Sequence, residues 1–217
     1  MVQLTAADPP LNCQLCKRLV DYRVDNQAAY PNYFNAPAPS FGDANARLLI
    51  VGLAPGVHGA NRTGRPFTGD YAGDLLYSTM AKFGFSNDKF NADPNDGLKL
   101  KSAMVTNAVR CVPPQNKPTG PEIRTCRPFL VSQIDALKKL KAILCLGRIA
   151  HDSTLVALGV KAKEAPFGHG AAHRIKDRGL TLFDSYHCSR YNTNTRRLTT
   201  EMFEDVFAAA RAEIDKG

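Results

Sequence analysis

Leu48-Leu49-Ile50-Val51-Gly52-Leu53-Ala54-Pro55-Gly56 runs on to Arg62-Thr63-Gly64-Arg65-Pro66-Phe67-Thr68-Gly69-Asp70, and the rest of the chain is organised around this stretch. The opening run is short, apolar and compatible with a β-strand. Gly52 and Pro55 bound it, which predicts a buried strand. The segment beyond Pro55 holds His58, Asn61, Arg62, Thr63, Arg65 and Asp70, separated by glycines, and does not read as core. A loop of this kind at the carboxyl end of a parallel strand is where α/β sheets hold ligands. An ordinary surface loop is the bland alternative. Gly52, Gly56, Gly59, Gly64 and Gly69 weigh against it, because they suit backbone that closely approaches something.

Outward from this stretch, residues 1–12 read as loosely structured, 13–24 as a helix, and 25–46 as irregular but sticky, with Tyr30, Tyr33, Phe34 and Phe41. Strands are predicted over 47–53, 102–109, 141–147 and 180–185. Helices are predicted over 74–83, 122–140, 148–158 and 198–214, with Pro128 kinking or breaking the second of these. Residues 86–100 read as a polar loop. Residues 112–120, with Pro113, Pro114 and Pro118, cannot be regular. Strands alternating with helices predict a three-layer α/β/α sandwich around a central, mostly parallel four-stranded sheet. No linker or repeat divides the chain, so residues 1–217 form a single domain on this reading. Three of the four strands end in polar text, at 56–70, at Thr106-Asn107 and at Tyr186-His187-Cys188-Ser189. In a parallel sheet those ends meet on one edge, and that edge is the expected site.

The bulk numbers set the class. The chain has 217 residues, 44% hydrophobic and 22% charged, enough for one well-buried core. No apolar run is long enough to cross a bilayer. The start, Met1-Val2-Gln3-Leu4-Thr5-Ala6-Ala7-Asp8, lacks the basic and apolar regions of a secretory signal, so the cytoplasm is the expected location. Lys and Arg number 28 against 20 acids, for a net charge of +8. That excess favours a polyanionic partner such as nucleic acid. Six cysteines in such a chain point to metal or cluster ligation rather than a disulfide framework. Cys13 and Cys16 form a CxxC pair, Cys111 follows the second strand and Cys126 lies in the next helix. Four thiolates of that kind suit zinc or an iron–sulfur cluster. Cys145 reads as a core residue, and Cys188 is set aside because its neighbours belong to the other site.

Gly52-Leu53-Ala54-Pro55-Gly56, the run from His58 to Asp70, Thr106-Asn107-Ala108-Val109-Arg110-Cys111 and Ser185-Tyr186-His187, with Asn192-Thr193-Asn194-Thr195 after it, closely resemble the family 5 uracil-DNA glycosylases. These are broad-specificity relatives of the family 4 enzymes, and the resemblance spans residues 13–198. It implies a DNA repair glycosylase that removes uracil, and other deaminated bases such as hypoxanthine, leaving an abasic site. It also implies a [4Fe–4S] cluster on Cys13, Cys16, Cys111 and Cys126. Two positions depart from the family pattern. Cys188 stands where a proline follows the histidine, and Arg196 stands where glycine is usual.

Hydrolysis of an N-glycosyl bond puts cationic character on the sugar and anionic character on the base, so a carboxylate and a donor are wanted. The resemblance makes Asp70 the active-site carboxylate; by pattern alone it is a helix N-cap. Phe67 is expected to stack on the extruded base, against the bland reading of a core phenylalanine. Gly52, Ala54 and Gly56 belong to the same base pocket. Asn107 offers a donor and an acceptor to the edge of uracil, or simply closes a turn. His187 is expected to donate to the base, or else is one more structural histidine beside His58, His151, His169 and His173. Arg62, Arg65, Arg190, Arg196 and Arg197 are read as phosphate contacts, together with Ser189. Tyr191 or a neighbour is the side chain expected to fill the gap in the duplex. A monomer acting on DNA, away from membranes, is the expected assembly. Two rivals stand beside this reading. One is a non-catalytic iron–sulfur protein that binds nucleic acid. The other, a phosphate cradle, is weakened by the lack of GxxxxGK[ST] and GxGxxG patterns.

Overall fold

The computed structural model describes residues 7–216. One six-stranded sheet organises the chain: β1 (Phe41–Gly42), β2 (Leu48–Gly52), β3 (Ala103–Asn107), β4 (Ala142–Leu146), β5 (Ala172–Ile175) and β6 (Leu180–Ser185). The strand order is β1-β3-β2-β4-β6-β5. The four predicted strands form its parallel centre. The expected count of four is corrected to six by two short antiparallel edge strands, β1 against β3 and β5 against β6. β1 has two residues and β5 is largely exposed, so neither carries the apolar pattern that reveals a central strand.

The central strands are buried on both faces, and their side chains alternate between two cores. Leu48, Ile50, Val105 and Leu144 face one core, under α3 (Tyr71–Lys82) and α7 (Thr200–Asp215). Leu49, Val51, Met104 and Ile143 face the other, under α4 (Gly120–Ala136) and α5 (Arg148–Leu158). α1 (Lys17–Ala29) packs beside these layers over a small third core of Leu19, Val109 and Cys126. Two short helices, α2 (Ala60–Thr63) and α6 (Arg190–Asn194), lie in loops. No helix among the described residues is long and apolar enough to cross a membrane.

Three local expectations shift. The first helix begins at Lys17 rather than Cys13, because the CxxC pair occupies the turn before it. α4 runs through Pro128 without a break. Residues 7–12 are irregular, as expected, but not loose: Asp8 is buried and ion-paired to Arg110. The expectation for residues 1–6 lies outside the described residues.

Candidate active site

β2, β3, β4 and β6 run parallel, so the loops at their carboxyl ends share one edge of the sheet. After β2 the chain steps to β3 and then returns past β2 to β4, so the crevice between β2 and β4 is a topological switch point. A cleft of ≈ 860 Å³ opens there, lined by Ala54, Gly56, His58, Asp70, Tyr71, Asn116, Arg148, His187, Ser189 and Arg190. A recess at its floor is walled by Ala54, Pro55, Gly56, Ala60 and Ala72, with Phe67, Asp70, Asn107 and His187 around it. The convergence expected from the strand ends is therefore present.

Close packing makes the recess. A Cβ on Gly52 would collide with Asn107 and Phe67, and one on Gly59 would collide with the carboxylate of Asp70. Asn107 ends β3 at 3% exposure, opposite Gly52 in the sheet register. Phe67 is buried at φ +52°, and its ring stacks on His187 with centroids 5.9 Å apart. Left-handed backbone at a bulky residue persists only when the surroundings enforce it.

Arg65 supplies that enforcement, and its expected role as a phosphate contact is corrected. It is 5% exposed, forks onto Asp96 at 2.8 and 2.7 Å, and donates Nε to Thr68 Oγ1 at 2.8 Å. Its guanidinium also lies over the rings of Phe41, Tyr77 and Phe90. An arginine spent in this way bolts the loop that carries Phe67 and does not reach DNA.

Asp70 stands at the N-terminus of α3 but makes no capping hydrogen bond. Its Oδ1 is buried and has no partner among the described residues. Burial pushes its carboxyl above the ordinary carboxylate value, against the pull of nearby helix amides. A Cβ on Gly56 would lie 3.6 Å from Asp70 Oδ2 and 3.9 Å from Asn116 Oδ1, so these two groups approach the same glycine. Burial holds His187 down to about 4, leaving a neutral imidazole at pH 7. It lies just past β6 and is steadied by Asn192 Nδ2, which donates to its carbonyl at 2.8 Å.

The rim is basic and exposed. Arg62 donates to His58 O at 2.9 Å, and Arg190 lies over the ring of Tyr71 at 5.2 Å. Ser189 caps α6, accepting from Asn192 N at 3.4 Å. Tyr191 is 72% exposed on that helix. Arg196 is exposed at φ +56°, a left-handed position that suits glycine. Cys188 is fully buried and donates to Ala72 O at 3.5 Å, where a proline would have no donor.

Asn116, Arg148 and Ile149 also line the cleft, although no sequence motif marks them. Arg148 comes two residues past the end of β4 and opens α5, so the end of that parallel strand is the signal that could have found it. Asn116 sits in a proline-rich stretch that reads only as a spacer between cysteines.

Cys13, Cys16, Cys111 and Cys126 line a separate, small, apolar cavity. Arg110 N donates to Cys126 Sγ at 3.3 Å, and Arg23 Nη1 reaches Cys111 Sγ at 3.9 Å. Burial, and then the neighbouring sulfurs, push the Cys111 thiol up to about 12. Among the described residues no three His, Cys, Asp or Glu side chains are gathered so as to hold a metal ion. Cys145 is fully buried in β4, as expected of a core residue.

The family model of the uracil DNA glycosylase superfamily matches residues 39–211. A type-5 uracil-DNA glycosylase of Thermus thermophilus is 44% identical, over 92% of this chain and 92% of its own. One from Pyrobaculum aerophilum is 39% identical over 94% and 89%. A type-4 uracil-DNA glycosylase of Sulfurisphaera tokodaii is 30% identical over 77% and 72%. A match of that length, on a sheet whose switch point carries the cleft, settles descent: the chain belongs to the uracil-DNA glycosylase superfamily and, within it, to the type-5 enzymes.

Proposed function

We propose that the recess receives a uracil turned out of the DNA stack and that Asp70, Asn107 and His187 carry its hydrolysis from deoxyribose. The observation that carries this is the unpartnered, buried Oδ1 of Asp70 beside a recess shared with Asn107, His187 and Phe67. Phe67 offers a face for the base, worth about 1–3 kcal/mol in stacking. Asn107 pairs with the O4 and N3–H edge. As the bond breaks, negative charge gathers on the base, and neutral His187 donates a hydrogen bond to O2. Asp70 faces the sugar, where its charge stabilises the developing cation and orients the attacking water. The α3 N-terminus favours the ionised carboxylate that this needs.

Arg62, Arg190 and Arg196 hold phosphates around the cleft, and Tyr191 enters the gap left by the base. A DNA substrate is consistent with work in the cytoplasm. The small walls of the recess support bases beyond uracil, hypoxanthine among them.

The donor set suits a [4Fe–4S] cluster: Cys13, Cys16, Cys111 and Cys126 line one small apolar cavity and would hold it, with Arg110 N and Arg23 placed to stabilise charged sulfur. Such a group would supply a structural cross-link between α1, α4 and the strand-end loop after β3.

Incubation with a uracil-containing oligonucleotide, then alkali, tests the reading. Strand scission at the uracil is expected from the wild type and not from Asp70→Asn. A protein that binds the oligonucleotide but leaves it uncut, with every damaged base tried, would favour the non-catalytic rival.

A further inference from the structure

Asn116 reaches the cleft on a loop with unusual backbone. Gln115 and Asn116 both stand at φ +56°. That region disfavours side-chain-bearing residues; asparagine tolerates it and glutamine less so. Two in succession need external support. At the near end, Asn116 N and Lys117 N donate to Pro113 O and Pro114 O, both at 3.1 Å.

The far end is held by a residue outside the cleft. Arg18, on α1, donates Nε and Nη2 to the two carboxylate oxygens of Glu122 on α4, each at 2.7 Å. The same Nη2 donates to Lys117 O at 3.1 Å, one residue past Asn116. Glu122 Oε2 also accepts Thr119 N at 2.7 Å. One guanidinium thus ties two helices to the loop, and its planar fork is a geometry that lysine cannot copy.

We propose that Arg18 is a positioning residue of the glycosylase: its fork holds the 113–119 loop in its strained form, so that Asn116 faces Asp70 across the cleft. This rests on the reading of the cleft as the glycosylase site. Small displacements in such sites cost up to about a hundredfold in rate.

The test uses purified holoprotein and single-turnover cleavage of a uracil oligonucleotide. Arg18→Ala and the milder Arg18→Lys are expected to lower the rate by about tenfold or more while DNA affinity changes little. Combined with Asn116→Ala, itself expected to slow cleavage, Arg18→Ala is expected to add no further loss. Gln115→Gly, near wild type alone, is expected to return part of the rate to Arg18→Ala, since glycine adopts the left-handed form without cost. Amide hydrogen exchange over residues 113–117 is expected to quicken in both Arg18 variants. Equal losses with and without Asn116, no relief from glycine, or unchanged exchange would each overturn the proposal. If the wild type does not cleave at all, the reading of the cleft has failed, and exchange still reports on the clamp.

Discussion

Arg110 Nη1 donates to Asp8 Oδ1 at 2.8 Å, with both side chains at most 1% exposed. The pair ties the segment leading to Cys13 against the strand end that leads to Cys111. Breaking it from one side leaves a buried guanidinium uncompensated, which costs about 3–5 kcal/mol. Asp8→Ala is therefore expected to unfold at markedly lower urea than the wild type. Replacing both partners, with Asp8→Leu and Arg110→Met, is expected to cost less than Asp8→Ala alone. A double variant that is the weaker of the two would mean that the pair itself supplies the stability.

The proposed cluster on Cys13, Cys16, Cys111 and Cys126 predicts a brown protein. Anaerobically purified material is expected to show a visible iron–sulfur absorbance with about four irons and four sulfides per chain. Cys126→Ala is expected to lose the colour and much of the thermal stability, since ligation and folding are coupled. Stoichiometric zinc in place of iron would refute the cluster.

Two burial effects give opposite pH behaviour. Burial holds the His187 imidazole down to about 4 in the fold against an ordinary 6.5. Between those values the unfolded chain takes up a proton that the folded one refuses, so stability is lost as pH falls through that window. Asp70 is raised, so its contribution has the other sign: stability is lost as pH rises through its folded value. Asp70→Asn is then expected to melt higher than wild type at pH 7 while abolishing cleavage. The wild-type rate is expected to fall in acid with Asp70, above the ordinary carboxylate value of 3.8, and to show no break at 6.5. A break near 6.5 that His187→Gln removes would show that the imidazole works as a cation.

Charge at the cleft sorts the arginines. With about four phosphates neutralised, log K for undamaged DNA is expected to fall against log salt with a slope of roughly −3 to −4. Arg62→Ala or Arg190→Ala is expected to reduce that slope by about one. Arg65→Lys is expected to leave the slope alone and lower stability, because its partner is the buried Asp96. A slope that responds to Arg65 would place it on DNA after all.

The contrast between Arg65 and Arg62 shows where sequence reading reaches its limit. Both lie in one motif, three residues apart, and it is Arg65 that meets Asp96, Thr68 and a set of aromatic rings, contacts that the motif itself does not reveal. The four central strands were legible because burial on both faces wrote continuous apolar runs such as Leu48-Leu49-Ile50-Val51. β1 and β5 left no such signature. Asp70, Phe67, Asn107 and His187 were picked out through the family resemblance of their motifs, since by pattern alone each also had a structural reading, and the parallel sheet brings them together. Asn116 was not, since its place depends on a left-handed turn and on Arg18, 98 residues away in sequence.

Pocket walls bear on which bases the enzyme releases. Exclusion by shape needs a side chain that clashes, and selection by hydrogen bonding needs a matched polar edge. Ala54, Pro55, Gly56, Ala60 and Ala72 wall the recess beside Phe67, Asp70, Asn107 and His187, so a 5-substituent or purine ring directed at these five residues would meet no bulky side chain. Asn107 supplies one amide, and a rotated amide meets hypoxanthine as well as uracil. Release of both is expected, with uracil or a modified uracil preferred. Thymine in a good pair is expected to react least, because extruding a well-paired base costs more than extruding a mismatched one. Single-turnover rates on uracil, hypoxanthine, 5-hydroxymethyluracil and thymine opposite each normal base decide the matter. Ala54→Phe, which adds a wall, is expected to depress hypoxanthine release more than uracil release. Equal depression of both would show that Ala54 does not face the base, and cleavage confined to uracil in the wild type would show that the recess is narrower than its small residues imply.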